Sequence, residues 1–282
     1  MATVGLLHPG AMGAAIGKLL RQAGHDVAWV RAGRSVETTR RAQDADLRPV
    51  AGLRVLAKEC PVVLSVCPPE NAVEVAREVA NEGFKGTYVD ANAISPSAAA
   101  WIESIVTTSG GTFVDAGIVG PPPVTAGSTR LFLSGSAAGS IAKLFQGTAL
   151  EPVVVGERVG AASAAKLAYA GWTKATSALL LALRSYARAW DVEAALLDEW
   201  RRSQPELPER SAQTAQRVHQ KAWRWVAEMR FIGESMAEAG LPPGFHDAAA
   251  DIFAELAHLK GDPHDQDPEH VFDLVRTPKM RS

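Results

Sequence analysis

The stretch Val4-Gly5-Leu6-Leu7-His8-Pro9-Gly10-Ala11-Met12-Gly13 decides the fold. A short apolar run breaks into a glycine turn. A helical pattern then follows through Ala14, Ala15, Ile16, Leu19 and Leu20 and closes near Gly24. In a strand–turn–helix unit of this kind, glycines let the backbone approach a pyrophosphate. The helix N-terminus adds free N–H groups and the positive end of its dipole. The fingerprint G-x-G-x-x-G is met at its last two glycines, Gly10 and Gly13, while His8 stands at the first. His8 precedes Pro9, which biases it to extended backbone, so the turn must be made differently here. The expectation is a dinucleotide site on His8, Pro9, Gly10, Ala11, Met12 and Gly13. The competing reading is an ordinary strand–helix turn with glycines for packing.

The next stretch bears on which dinucleotide. His25 to Val30 reads as a second strand, and an acid after it would hold ribose hydroxyls. The chain offers Arg31-Ala32-Gly33-Arg34-Ser35 instead. Two guanidiniums and a hydroxyl suit the 2′-phosphate of NADP(H), against the plainer reading of a solvated basic loop. Thr38 to Ala45 reads as a polar helix and Gly52 to Leu56 as a short strand. Pro61 to Val66 is a continuous apolar run, as expected of a strand buried on both faces. It stops at Cys67-Pro68, a loop expected beside the cofactor because open α/β sheets bind ligands beyond strand carboxyl ends. Cys67 has no basic sequence neighbour to lower its pKa, and a buried filler is its commoner role.

Further strands are expected at 87–90, 112–116, 130–134 and 152–155, with helices over 70–80 and 97–106. Ser95 before Pro96 is a helix cap. Asn92 has no such local explanation, and its amide is expected to meet a nicotinamide or a substrate. The alternation gives an α/β fold: a Rossmann-type doubly wound, mostly parallel sheet over 1–157. An all-α C-terminal domain over 158–282 follows, expected to carry substrate contacts and dimerisation. Helix is expected from Ala161 to about Trp190, a rod of ~45 Å, apolar enough to need cover from its own domain or a second copy. Helices are also expected over 193–202, 212–239 and 245–259.

Composition narrows the function classes. A net charge of −2 argues against a nucleic-acid partner. The longest apolar run is too short for a membrane span. Two cysteines and no visible secretory signal fit a cytoplasmic protein. His264, Asp265, Asp267 and His270 match no metal spacing, so no metal is expected. Reduction of a carbonyl needs a proton or positive charge beside the oxygen. Lys166 is the candidate, being the only charge between Arg158 and Lys174. Tyr169, three residues on, shares its helix face and is placed to relay a proton, a core aromatic being the alternative.

These motifs resemble the β-hydroxyacid dehydrogenase superfamily, with phosphogluconate dehydrogenase as a relative and imine reductases as cousins. The pattern G-x-G-x-M-G is similar to residues 8–13, D-x-S-T-x-S-P to 90–96, and the substrate loop D-A-P-V-S-G-G to 115–121. The catalytic lysine of G-x-G-x-x-x-K-L falls on Lys166-Leu167. The resemblance implies NADPH-dependent hydride transfer to or from a small-molecule carbonyl or alcohol in an interdomain cleft, in a homodimer. Substrate contacts then fall on Asn92, Val119, Gly120, Pro121, Ala170 and Glu228. The family serine is Val119 here and the family asparagine is Ala170, so the usual grip on a substrate carboxylate is lost. Pro121 to Pro123, Trp172, Trp223 and Trp225 suggest a less polar pocket. An imine substrate and a dinucleotide-binding sensor without turnover are the competing functions.

Overall fold

The computed structural model describes residues 1–218, 220–260 and 268–275. His264, Asp265 and Asp267 lie outside the described residues. The chain divides into two compact units, Met1–Leu167 and Ala168–Ser282.

The first unit opens with β1 (Thr3–Leu6), α1 (Ala11–Gln22), β2 (Asp26–Val30), α2 (Val36–Asp44), β3 (Arg48–Val50), α3 (Leu53–Glu59) and β4 (Val62–Ser65). It continues with α4 (Ala72–Asn81), β5 (Thr87–Asp90), α5 (Pro96–Thr108), β6 (Thr112–Val119), β7 (Thr129–Ser134), α6 (Ala138–Lys143) and β8 (Leu150–Gly156). The strands form one eight-stranded sheet in the order β3-β2-β1-β4-β5-β6-β7-β8, and only the β6–β7 pair is antiparallel. Strand order reverses between β1 and β4, so the crevice at their carboxyl ends is the switch point where such sheets bind ligands. Val4, Leu6 and Leu64 join one core cluster and Leu7 and Val63 another, so the central strands bury both faces. This is why they read as unbroken apolar runs.

The second unit holds most of α7 (Ala161–Ala189), whose first residues belong to the first unit. Then come α8 (Glu193–Ser203), α9 (Leu207–Val218), α10 (Ala222–Glu238), α11 (Gly244–Glu255) and α12 (Pro268–Leu274). Its interior is fastened by Arg184, only 5% exposed, which pairs with Glu193 at 2.5 Å, donates to Ser211 and stacks on Phe272. Trp172, Leu179, Leu183, Tyr186 and Trp190 remain exposed along α7 and just past its end. Their three- and four-residue steps, with Thr176 between the first two, trace one helical stripe. Among the described residues, no helix is long and apolar enough to cross a membrane.

Several local expectations are corrected. Gly52 to Leu56 is not a strand: Gly52 precedes α3, and the short strand lies earlier, at Arg48–Val50, paired with β2. The helix expected over 212–239 is two helices, α9 and α10. β6 runs on to Val119, so the loop after it starts at Gly120.

Candidate active site

The N-terminus of α1 carries no side-chain cap. Gly10 is its N-cap, and its first turn holds no acid. The first N–H groups of a helix have no partner within it, so here they stay available to a ligand. Gly10 and Gly13 are glycines for different reasons. A Cβ on Gly13 would sit 2.3 Å from the His8 carbonyl oxygen. Gly13 therefore permits the contact between helix and strand end. A Cβ on Gly10 would meet nothing within 4 Å, and its φ of −67° suits any residue. Neither protein packing nor backbone conformation requires Gly10. The missing first glycine is replaced by a local turn in which Gly10 N–H donates to the His8 carbonyl at 2.8 Å.

Beside this turn, Leu7, His8, Val30, Arg34, Leu53, Val75, Glu78 and Val79 line a cavity of about 180 Å³. Arg34 reaches it from the loop after β2 and donates to the Leu7 carbonyl at 3.3 Å. Gly33 turns that loop with φ +72°, a conformation that favours glycine. Arg31 and Arg34 are exposed. Ser35 is the N-cap of α2: its oxygen accepts from Thr38 N–H at 3.1 Å, so a structural role explains it.

Asn92 departs most from expectation. It is 3% exposed, and its amide is engaged by the protein itself. Oδ1 accepts from Cys67 N–H at 2.6 Å, and Nδ2 donates to Asp90 at 2.9 Å and to Ser65 at 3.2 Å. It is a clasp tying the loop after β5 to the loop after β4. That position, at the carboxyl ends of neighbouring strands, gives Asn92 a structural role that the sequence did not show. Burial pushes the Cys67 thiol above its ordinary pKa, in keeping with a filler and not a reactive thiolate.

A buried polar system that sequence reading missed positions Lys166. Asp115, fully buried on β6, accepts from Ser163 N–H at 3.0 Å, from Ser163 Oγ at 2.6 Å and from Ser134 Oγ at 3.0 Å. Ser134 in turn accepts from Ala162 N–H at 3.1 Å. Two strands thus satisfy the first turn of α7 and set a carboxylate against its positive end. Lys166 follows one turn later. A Cβ on Gly117 would approach Lys166 Cβ and the Ala162 carbonyl oxygen to 2.9 Å, so Gly117 lets the helix settle on β6. Lys166 is half-buried and its charge acts on Asp90. Burial, aided by Asp115, raises the Asp90 pKa to about 7, against the opposing pull of Asn92 and Lys166. Asp115 lies in the middle of β6 and Ser163 at the start of α7, 48 residues on, so no local signal in the sequence joins them.

The other expected substrate residues have separate placements. Val119 is buried within β6 opposite Arg130. Gly120 has φ +125°, and a Cβ there would lie 2.4 Å from the Ser128 carbonyl oxygen, so turn geometry requires it. Pro121 is exposed and its carbonyl accepts from Thr129 at 2.5 Å. Tyr169, Ala170 and Glu228 belong to the second unit. Tyr169 is 49% exposed rather than a core aromatic, and Glu228 pairs with Lys174 at 2.5 Å. Trp223 stacks under Lys260 and Trp225 packs edge-on against Phe253, so packing explains both. Trp172 helps line an apolar cavity of about 380 Å³ in the second unit. Among the described residues, no group of His, Cys, Asp and Glu is arranged to hold a metal.

Residues 1–178 match the model described as the NAD binding domain of 6-phosphogluconate dehydrogenase. Residues 187–256 match a domain of unknown function, DUF1932. An uncharacterized 28.5 kDa protein of Methanothermus fervidus is 29% identical over 167 residues, which are 59% of this chain and 62% of that protein. Among solved structures, one conserved protein of unknown function is described as structurally similar to 3-hydroxyacid dehydrogenases. It superposes with a TM-score of 0.77 at 26% identity, over 91% of this chain and 98% of its own. Mycobacterium tuberculosis 3-hydroxyisobutyrate dehydrogenase, solved with L-serine, shares the fold with a TM-score of 0.78. It is 18% identical and is covered over its full length by 98% of this chain.

Proposed function

The chain belongs to the family of the 6-phosphogluconate dehydrogenase NAD-binding domain, and from that premise we propose that it is an NADPH-dependent oxidoreductase acting on a carbonyl or alcohol carbon. The observation that carries the proposal is the uncapped start of α1 behind Gly10, whose Cβ position is empty. Residues 10–13 would hold the pyrophosphate there through backbone N–H groups, and Arg31 and Arg34 the adenosine 2′-phosphate. When bound, the nicotinamide supplies or accepts the hydride.

The chain's own residues do the rest. Lys166 places an ammonium beside the substrate oxygen, polarises it and exchanges its proton. Asp115, Ser134 and Ser163 fix the helix start that carries the lysine. Asn92 acts through the loops it clasps, not by touching the substrate. The exposed stripe from Trp172 to Trp190 packs against a second copy, giving a homodimer. The assay is NADPH oxidation over a carbonyl panel, wild type against Lys166→Ala. Equal rates for the two proteins would remove Lys166 from the mechanism.

An imine substrate is the second reading, favoured by Val119 and Ala170, which supply no polar side chain to grip a carboxylate. Imine turnover that survives Lys166→Met, with aldehydes inert, would select it. Tight NADPH binding with no turnover on either panel would leave a sensor.

A further inference from the structure

His8 stands where the dinucleotide pattern has its first glycine, and the family does not account for it. The side chain is not surplus to the fold. It lines the 180 Å³ cavity at the carboxyl ends of β1 and β2, among the apolar walls of Leu7, Val30, Leu53, Val75 and Val79. The charged residues facing that space are Arg34, from the loop after β2, and Glu78 on α4, whose side chain is exposed. The His8 imidazole is neutral at physiological pH. Burial, and then the neighbouring Arg34, lower its pKa to about 4.

A neutral imidazole carries one proton, and its surroundings determine where. Nδ1 is sealed from solvent and has no hydrogen-bond partner, whereas Nε2 is not among the sealed, unpartnered atoms. A buried N–H without an acceptor is rarer than a buried acceptor left unpaired. We assign the proton to Nε2, the tautomer that leaves no N–H sealed without an acceptor and makes His8 a donor toward the cavity. Arg34 adds further donors on the same cavity, held in place by the Leu7 carbonyl. Against the one exposed carboxylate of Glu78, two donor groups, one of them cationic, suit an anionic, acceptor-rich ligand group better than a ribose diol.

From this we infer that His8 is a specificity-determining residue, a second donor beside Arg34 that selects the 2′-phosphorylated adenosine of NADPH over NADH. The inference rests on the dinucleotide reading above and goes further by naming a residue outside the basic loop. An uncharged donor adds a bond to the phosphate without adding to the self-repulsion of Arg31 and Arg34, and its apolar surround strengthens that bond.

The test is equilibrium titration of purified full-length protein with NADPH and NADH at fixed pH and ionic strength. Wild type, His8→Phe, which keeps the ring volume and loses the donor, and His8→Gln, which keeps a donor, are compared. The expected wild-type preference is for NADPH. His8→Phe should shrink the NADPH:NADH affinity ratio roughly tenfold or more, as loss of a hydrogen bond to a charged group does. It should leave NADH affinity within about twofold, and His8→Gln should recover most of the ratio. An unchanged ratio in His8→Phe, or equal weakening toward both dinucleotides, overturns the role of His8 while leaving the cofactor reading intact. Wild-type protein that binds neither dinucleotide overturns the cofactor reading itself. Melting curves of the ligand-free variants verify that each is folded before its ratio is read.

Discussion

Gly10 and Gly13 sit three residues apart in one turn, and alanine should affect them in opposite ways. At Gly13 the new methyl would lie 2.3 Å from the His8 carbonyl oxygen and 3.7 Å from Val66 Cβ. The first distance is far inside any tolerated contact, and the obstacle is backbone, so strand end and helix must separate. Overpacking of this kind costs about 1–3 kcal/mol. In a unit of 150–250 residues each kcal/mol lowers Tm by roughly 2–4 °C, so Gly13→Ala should melt several degrees early. At Gly10 the same methyl enters open space at an ordinary φ. Alanine is a poorer N-cap than glycine, but the loss there is at most about 1 kcal/mol. Its cost should fall on the ligand, because the methyl stands where a pyrophosphate must approach the helix N–H groups. Losing one charge-assisted bond of about 1.5–3 kcal/mol weakens NADPH binding roughly 10- to 100-fold. The assays are differential scanning fluorimetry without ligand and a fluorescence titration with NADPH. The reasoning is refuted if Gly10→Ala binds NADPH as wild type does, or if Gly13→Ala melts unchanged.

Asp90 should give stability a negative slope with pH. Its folded pKa of about 7 lies above the ordinary 3.8, so the folded state holds the proton longer. Stability from this group is complete below about pH 4 and falls as pH rises through 7. Denaturant midpoints at pH 5 and 8 should differ less in Asp90→Asn than in wild type. Asp115→Asn weakens the anchoring of the Ser163 N–H and hydroxyl and of Ser134, which in turn holds the Ala162 N–H. It should cost about 1–3 kcal/mol in chemical denaturation. Leu179→Glu with Leu183→Glu puts two charges on the exposed α7 stripe and should turn a dimer into a monomer by sedimentation. A dimer that survives both charges would move the interface elsewhere.

What could be read from sequence was what repeats or punctuates. The first strand, turn and helix were legible because a run of apolar residues ends in glycines with different spatial duties. The central strands were legible because burial on both faces keeps Val4 to Leu6 and Val62 to Leu64 apolar, with the buried Ser65 only at the end of β4. Gly52 to Leu56 misled because three apolar residues in a short window fit a strand as well as α3, and tertiary contact decides between them. The break between α9 and α10 carries no proline or glycine, so nothing local announced it. The structural roles of Asn92 and Ser35 were hidden for a related reason. A polar residue at a strand end or on a loop looks available, and only the fold shows its hydrogen bonds committed to Cys67, Asp90 and Thr38. The Asp115 anchor joins residues 48 positions apart, a link invisible to any window along the chain.

The most direct test is isotope transfer from cofactor to product. NADPH carrying deuterium at its reactive carbon is incubated with wild-type protein and a carbonyl panel, and products are read by mass spectrometry. A deuterated alcohol with wild type, strongly diminished with Lys166→Met although NADPH still binds, is the predicted result. Deuterium transfer at the wild-type rate by Lys166→Met, or NADPH bound with no carbonyl reduced, would contradict it.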